Sequence, residues 1–175
     1  MSNNFLQAIK FTLPWETGKW KNGVPPEDGG YTNDPNDPGG ETKWGISKRA
    51  NPDLDIKNLT IDKALERYKL KYYDIYKENR NFRIDFVDLD LVSPALACAI
   101  FDTGVNCGVN RAWNWYQTAK KTKDPVKNLL GLRDAHYTNL KAGRPDLIKY
   151  YKGWINRLND LKKFCQILED ESTAP

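Results

Sequence analysis

The chain has 175 residues and a mass of 20.2 kDa, and 39% of its residues are hydrophobic and 29% charged. This length suits one domain with a single core, and the composition is globular rather than disordered. The longest apolar stretch, residues 95–101, is far short of the ~20 residues that a membrane span needs. The first residues lack the basic and apolar regions of a secretory signal, so we expect no encoded export and no stable membrane insertion.

Histidine and cysteine usage argues against several chemistries. His136 is the single histidine, whereas zinc hydrolases usually combine at least two His or Cys ligands in a recognisable pattern. The cysteines form neither a CxxC pair nor an even set, which favours core thiols in a reducing compartment: Cys98, Cys107 and Cys165. We therefore predict neither a metal site nor a cofactor.

Positive charge is concentrated in the C-terminal third of the chain. Residues 111–163 hold 13 Lys and Arg against four Asp and Glu, although the net charge of the whole chain is only +4. Such a region attracts polyanions such as nucleic acid, anionic lipid or a bacterial cell wall, or is a solvated helix face. A nucleic-acid-binding protein would show strongly salt-dependent DNA binding, but that function leaves the Gly- and Pro-rich region before residue 48 unexplained.

Hydrophobic spacing predicts the elements of the N-terminal half. A short helix over residues 4–12 is expected to end before Pro14 and to deliver Glu16 into the following loop. Glycine and proline crowd residues 17–41, which predicts a long ordered loop or small β region, and such loops are usually functional. An amphipathic helix is predicted over residues 61–75.

Three further helices are predicted in the C-terminal half. Residues 93–94, Ser-Pro, form an N-cap followed by a proline, and the apolar run after them indicates a helix buried on every side. Asp124 starts the next helix in the same way, and Gly143 stops it. The last helix is expected to begin near Asp146, and residues 169–175 are expected to form a frayed tail.

Carboxylate chemistry remains after these exclusions. Six acidic residues lie in or beside the Gly- and Pro-rich region: Glu16, Glu27, Asp28, Asp34, Asp37 and Glu41. Hydrolysis of a glycosidic bond needs two carboxyl groups, one protonated and one ionised. Trp15 and Trp20 are close to Glu16 in sequence and would supply the apolar wall that raises a carboxyl pKa. Asp34 and Asp37, each followed by proline, suit ionised, hydrogen-bonded groups or simple turn residues.

Three segments resemble a known family. Residues 29–47, GGYTNDPNDPGGETKWGIS, resemble the signature of the glycoside hydrolase family 108 muramidases, which are widespread among phage endolysins. Residues 101–108, FDTGVNCG, and residues 152–157, KGWINR, resemble the C-terminal part of that family, often described as a peptidoglycan-binding region. The resemblance therefore covers nearly the whole chain.

The resemblance implies a lysozyme-like fold of the α+β class, predominantly α-helical, with a small β element and a long Gly/Pro-rich active-site loop. It also implies hydrolysis of the β-1,4 bond between N-acetylmuramic acid and N-acetylglucosamine in bacterial peptidoglycan, without a cofactor. We expect a single catalytic domain over residues 1–175. Its catalytic part would be residues 1–90 with the active-site loop at 16–47, followed by a helical, peptidoglycan-binding-like part at 91–168 and the tail.

The general acid has two candidates. The family carries a glutamate at the end of its first helix, directly before Gly-Gly-Tyr. Here Glu16 ends the helical segment, whereas Glu27 and Asp28 precede Gly29, as though an insertion separated the two halves. The spacing from the first helical residues to the glutamate favours Glu16. The spacing from the glutamate to Asp37 and Thr42 favours Glu27. Because a helix end orients a side chain better than a loop does, Glu16 is the predicted acid and Glu27 the reserve.

The remaining site residues follow by analogy with the lysozyme superfamily. Asp37 and Thr42 would hold the attacking water, with Asp34 as the reserve aspartate. Carboxyl groups about 6.5–9.5 Å apart would invert the anomeric carbon and about 5–5.5 Å would retain it, and both outcomes stay open. Aromatic rings are expected to bind the sugar together with Asn106: Trp20, Tyr31 and Trp44.

Two other functions and the biological setting complete the expectations. A non-catalytic wall-binding module would tolerate Glu16→Gln, and a hydrolase of chitin or chitosan would use the same carboxylate chemistry. The missing export signal suits an endolysin that is made in the host bacterial cytoplasm, and we expect it to be a monomer. A separate holin-like, membrane-permeabilising protein would release it to the wall.

Overall fold

Helices form most of the structure, which confirms the predicted α+β, mainly helical class. The computed structural model describes residues 1–18, 20–35, 37–77 and 85–173. Its elements in chain order are α1 (Asn3–Thr17), β1 (Thr42–Lys43), β2 (Ile46–Ser47), α2 (Ile61–Tyr68), α3 (Pro94–Cys107), α4 (Val109–Ala119), α5 (Pro125–Gly143) and α6 (Ile148–Thr173). Shorter turns are π-helical at Lys69–Tyr73 and 3₁₀-helical at Asp74–Tyr76 and Pro145–Leu147.

The chain divides into two compact units. We call residues 1–8 with 72–175 the helical unit, and residues 9–71 the loop unit. These limits differ from the predicted parts at 1–90 and 91–168, and the prediction of a single catalytic domain stays a prediction. In the described parts of the chain, no helix combines the length and the hydropathy needed to cross a lipid bilayer.

The first helix runs past its predicted end. α1 includes Pro14 and continues to Thr17, whereas the helix was expected to stop before the proline. A proline removes one backbone donor, but the following turn still closes, since Gly18 N–H donates to the Pro14 carbonyl at 2.9 Å. The Thr17 hydroxyl also donates to the Leu13 carbonyl at 3.0 Å. Glu16 therefore lies in the last turn of α1 and not in the loop after it.

α3 is the central helix of the helical unit. Ser93 caps it by accepting a hydrogen bond from Leu96 N–H at 3.2 Å, with Pro94 at the first helical position, as predicted. The helix contacts α4, α5 and α6. Residues 97–104 are all buried, because an apolar helix without a polar face is stable only inside a core.

The other helices follow the sequence signals less completely. The cap at Asp124 and the stop at Gly143 are confirmed for α5, but α4 has no counterpart among the predicted helices. The helix predicted over residues 61–75 is shorter in the structure, because α2 ends at Tyr68. The chain then continues as the π-helical turn Lys69–Tyr73 and the 3₁₀-helical turn Asp74–Tyr76. The prediction of a frayed tail is wrong for residues 169–173, which form the end of α6. Residues 174–175 lie outside the described residues.

A buried ion cluster joins the two C-terminal segments that resemble the family. Asp102 of α3 accepts from Arg133 Nη1 of α5 at 2.7 Å and from Arg157 Nη2 of α6 at 2.6 Å. Asp102 and Arg133 have no exposed surface, and Arg157 is 5% exposed. Burial raises the pKa of Asp102, but the two guanidinium groups outweigh it and hold that pKa below its ordinary value. Arg157 is therefore a structural partner of Asp102.

A second carboxylate, Asp90, makes the helical unit sensitive to acid. Burial raises its pKa, but hydrogen bonds from Ser2, Tyr73 and Lys77 outweigh burial and lower the pKa from 3.8 to about 2. A pKa that is lower in the folded state adds stability above about pH 4, which is lost as the pH falls towards 2. We expect this loss to be about 2 kcal/mol. Between pH 7 and pH 2, the Tm of wild type should therefore fall by roughly 4–8 °C more than the Tm of Asp90→Asn does.

The measurement is the Tm of wild type and Asp90→Asn between pH 7 and pH 2. Asp53→Asn is the matched control, because Asp53 pairs with Arg67 at an exposed position. If the Tm difference between wild type and Asp90→Asn stays constant over this pH range, the Asp90 network does not contribute to acid sensitivity.

Candidate active site

The β1–β2 hairpin is the scaffold of the Gly- and Pro-rich region. Lys43 pairs with Ile46 and Thr42 with Ser47, so that the turn consists of Trp44 and Gly45 alone. Both turn residues have positive φ, 54° and 72°, which is the backbone of a tight type I′ hairpin turn. An aromatic residue at such a position is strained, and strain of this kind persists only where surrounding contacts hold it.

Three hydrogen bonds hold the strained turn in place. Trp44 N–H donates to the Gly29 carbonyl at 2.7 Å, and its indole Nε1–H donates to the Leu59 carbonyl at 3.3 Å. The hydroxyl of Tyr68, a buried residue at the end of α2, donates to the Trp44 carbonyl at 3.0 Å. The turn is thus fixed from both sides by residues distant in sequence.

The tip of the hairpin touches Glu16. A Cβ placed on Gly45 would lie 2.7 Å from Glu16 Cβ and 2.6 Å from the Tyr68 hydroxyl oxygen, so only glycine fits between them. The Gly-Gly pair before Tyr31 approaches the same helix end, because a Cβ on Gly30 would lie 3.4 Å from the Thr17 carbonyl oxygen. The family-like segment therefore packs around the end of α1.

The two candidate acids differ in their surroundings. Glu16 is half-buried in the last turn of α1, against the hairpin tip. Glu27 is exposed in a turn that Gly29 N–H closes by donating to the Pro26 carbonyl at 3.0 Å. The role of either glutamate as acid stays a prediction, but the glycine-rich segment wraps around Glu16.

The predicted water-holding residues lie at the other end of the hairpin. Asp37 is exposed, and its Oδ1 accepts from Gly39 N–H at 2.8 Å in the turn that leads into β1. Its backbone N–H donates to the carbonyl of the reserve residue Asp34 at 3.0 Å. The Thr42 hydroxyl donates to the Gly40 carbonyl at 3.3 Å. Asp37 thus serves a turn, and a carboxylate with one such bond can still accept others.

The predicted sugar-binding residues separate into three groups. Trp20 and Tyr31 are half-buried in the loop unit, and the Tyr31 hydroxyl donates to Glu41 at 2.8 Å, which raises the pKa of Tyr31. The expectation that Trp44 lines an open cleft does not fit a ring that is 6% exposed and packed on Gly29. Asn106 belongs to the helical unit, where the Tyr137 hydroxyl donates to it.

Sequence reasoning missed Tyr68 as part of this site. It appears in the sequence only as one apolar position of the α2 pattern, and its hydroxyl gives no local signal. Within the described residues, no cluster of three His, Cys, Asp or Glu side chains could hold a metal ion.

Gly45 offers a direct test of the contact with Glu16. Gly45→Ala adds a methyl group that collides with Glu16 and Tyr68, so we expect a loss of activity greater than tenfold together with a lower Tm. Gly23→Ala is the matched control, because Gly23 has a similar φ of 77° with nothing near its Cβ position. Activity is measured by wall digestion and stability by thermal unfolding. If Gly45→Ala and Gly23→Ala lose equal activity and stability, the cause is backbone strain of about 1–2 kcal/mol and not the contact with Glu16.

Two of three comparisons with known proteins found a match. Residues 22–108 match the model of the family described as Glycosyl hydrolase 108. Among solved structures, SagA from Brucella abortus is similar over 94% of this chain and 94% of its own, with 21% identity and a TM-score of 0.61, which shows a shared fold. No curated protein matches the chain.

The fold and the family match define the class of protein: it is a glycoside hydrolase of mainly helical, lysozyme-like fold. The match to the glycosyl hydrolase 108 model includes residues 29–47, the segment in which the resemblance to that family was seen. The match begins after Glu16, so it includes the loop and the hairpin but not the end of α1.

Proposed function

We propose that this glycoside hydrolase is a muramidase that cuts the β-1,4 bond between N-acetylmuramic acid and N-acetylglucosamine in bacterial peptidoglycan, with Glu16 as general acid. The observation that carries the proposal is the packing of Gly45 and Gly30 against the last turn of α1. Half-burial at a helix end restricts the Glu16 side chain, as a proton donor to a glycosidic oxygen requires.

Asp37 is the proposed second carboxylate, and Thr42 helps to orient the attacking water. Glu16 contacts the hairpin tip, and Asp37 lies beyond its open end, where a Cβ on Gly39 would be 3.6 Å from Ser47 Cβ. The distance between the Glu16 and Asp37 carboxyl groups decides the stereochemistry: about 6.5–9.5 Å leaves room for water and inverts the anomeric carbon, and about 5–5.5 Å retains it.

Digestion of purified peptidoglycan tests the proposed bond. The released fragments are reduced with borohydride and identified by mass spectrometry, and a muramidase yields reduced muramic-acid ends. Chitin and chitosan serve as parallel substrates, since cleavage of these alone would support a different glycan. Glucosamine ends from peptidoglycan would move the cut to the other glycosidic bond.

The wall itself is the proposed partner of an aromatic strip on the helical unit. Five rings on α4, α5 and α6 follow one another with centroids 5.4–6.1 Å apart: Trp115, His136, Tyr137, Trp154 and Tyr150. Arg111 lies over the ring of Trp115 and Lys149 over that of Tyr150. Tyr137 is only 2% exposed and joins the other four rings, which are half-buried or exposed. The exposed parts of those four rings suit sugar, and the surrounding cations suit anionic wall groups.

Sedimentation with insoluble peptidoglycan tests this partner. Tyr150 is 50% exposed, and we expect Tyr150→Ala to lower the bound fraction, with binding of wild type weakened by salt. Leu91→Ala is the control, because Leu91 is an exposed apolar residue of the same unit that does not belong to the strip. Equal binding of both variants would argue against the strip as the wall contact.

The biological role that we propose is host-cell lysis by an endolysin, which acts on the wall after release by a holin-like partner. It rests on the family resemblance of the glycine-rich segment. Expression in the bacterial cytoplasm should lyse cells only when a membrane-permeabilising protein is co-expressed. Lysis without that protein would contradict the proposed release step.

A further inference from the structure

The end of α2, together with the π-helical turn that follows it, contacts both ends of the β1–β2 hairpin. At the tip, the Tyr68 hydroxyl donates to the Trp44 carbonyl at 3.0 Å. Beyond the other end, Arg67 Nε–H and Lys71 Nζ–H each donate at 2.8 Å to the side-chain oxygen of Asn51. Asn51 lies four residues after the end of β2. One stretch of helix therefore holds the hairpin at two places.

The Asn51 side chain links this helix end to β2. It is 5% exposed, and its Nδ2–H donates to the carbonyl of Ser47, the last residue of β2, at 3.1 Å. Two cationic donors occupy its oxygen, and hydrogen bonds from charged groups are roughly twice as strong as neutral ones. The backbone N–H of Asn51 also donates to the Lys48 carbonyl at 3.1 Å. The course of the chain after β2 is thus fixed by a single amide.

The residues after β2 carry the turn that contains Asp37. Lys48 N–H donates to the Glu41 carbonyl at 2.8 Å, and Arg49 N–H donates to the Gly39 carbonyl at 3.1 Å. Gly39 in turn donates its own N–H to Asp37 Oδ1 at 2.8 Å. The place of the Asp37 carboxylate therefore depends on where residues 48–49 run.

We infer that Asn51 is a positioning residue for glycan cleavage, because its amide fixes the chain after β2 and, through it, the turn that contains Asp37. This inference rests on the proposed function, in which Asp37 is the second carboxylate. Tyr68, on the same helix end, holds the hairpin tip that contacts Glu16. The end of α2 thereby sets the places of both carboxylates, and Asn51 acts through Asp37.

The first test is the kinetics of Asn51→Ala on purified peptidoglycan. We expect kcat to fall roughly 10–100-fold with KM little changed, because a displaced catalytic group is missed in the transition state and not in substrate binding. Asn58→Ala is the matched control, since Asn58 is an exposed residue of the same loop whose side chain donates to Asp55 at 3.0 Å. An unchanged kcat in folded Asn51→Ala would contradict the inference.

Asn51→Asp separates positioning from stability. Aspartate still accepts from Arg67 and Lys71, but it has no N–H to donate to Ser47. We therefore expect a Tm close to that of wild type together with a kcat lowered nearly as far as in Asn51→Ala. A wild-type kcat in Asn51→Asp would show that the link to Ser47 has no part in cleavage.

A double-mutant cycle with Asp37→Asn tests whether Asn51 acts through Asp37. If it does, Asn51→Ala should lower the residual rate of Asp37→Asn by less than about twofold, because residues that act as one unit have non-additive effects. If Asn51→Ala causes its full loss of rate in both backgrounds, the inference is wrong and the role of Asn51 is independent of Asp37.

Backbone amide exchange gives a readout that needs no activity. In Asn51→Ala, we expect Arg49 N–H, which bonds to Gly39, to exchange roughly tenfold faster than in wild type. Trp44 N–H at the hairpin tip should keep its wild-type rate. If wild type leaves peptidoglycan uncut, the muramidase proposal fails, and the exchange rates still decide the positioning. Faster exchange at Arg49 alone supports a hold of Asn51 on the Asp37 turn, and equal exchange contradicts it.

Discussion

Glu16→Gln is expected to lower the rate of peptidoglycan cleavage by about 10²–10⁴-fold, because glutamine cannot give a proton to the leaving oxygen. The side chain keeps its size, so its packing against Gly45 and the fold are expected to survive. The measurement is the release of reduced glycan ends from purified wall over time, with wall sedimentation of the same variant in parallel. Lost cleavage with retained sedimentation supports an enzyme and contradicts a pure binding module.

Glu27→Gln is the matched control for this prediction. Glu27 is exposed, and we expect its variant to cut the wall at close to the wild-type rate. Loss of cleavage in Glu27→Gln alone would move the acid to the turn before Gly29. Full activity in both variants would remove both glutamates from the chemistry.

Asp102→Asn is expected to have the largest effect on stability. The change leaves Arg133 and Arg157 buried without the carboxylate that neutralises them, and breaking a buried ion pair in this way costs about 3–5 kcal/mol. For a chain of this length, the corresponding fall in Tm is roughly 6–20 °C. Thermal unfolding at neutral pH measures it directly.

Asp134→Asn provides the control for the buried cluster. Asp134 pairs with Lys162 at 2.8 Å between the same two helices as Arg133 and Arg157, but both side chains are more than 40% exposed. An exposed pair contributes little, so a change in Tm of at most a few degrees is expected. Similar Tm values for Asp102→Asn and wild type would show that the cluster does not hold α3, α5 and α6 together.

Much of the helical architecture follows from local signals. Ser93 with Pro94, and Asp124 with Pro125, define helix starts that the structure confirms. These signals are readable because a cap acts over three residues and a proline acts on its own turn. Pro14 shows the limit of the same reasoning, since α1 continues past it once the next turn finds its hydrogen bonds.

The candidate site could be predicted in its residue types but not in its arrangement. The glycine-rich segment indicated carboxylate chemistry, yet its spacing alone left Glu16 and Glu27 both open. The contact that distinguishes their surroundings joins Gly45 to Glu16 and Tyr68, which are 29 and 23 residues away in the chain. No periodicity in sequence encodes a contact at such separations.

The sequence by itself determined the mainly helical class, the caps of α3 and α5, the family of the loop segment and the set of acidic candidates, because each depends on neighbouring residues or on a continuous motif. Only the tertiary structure decided which glutamate meets the hairpin, that Trp44 is buried, and that Asp102 neutralises two arginines from other helices. These outcomes depend on burial and on pairing between distant segments, which are set when the core closes around them.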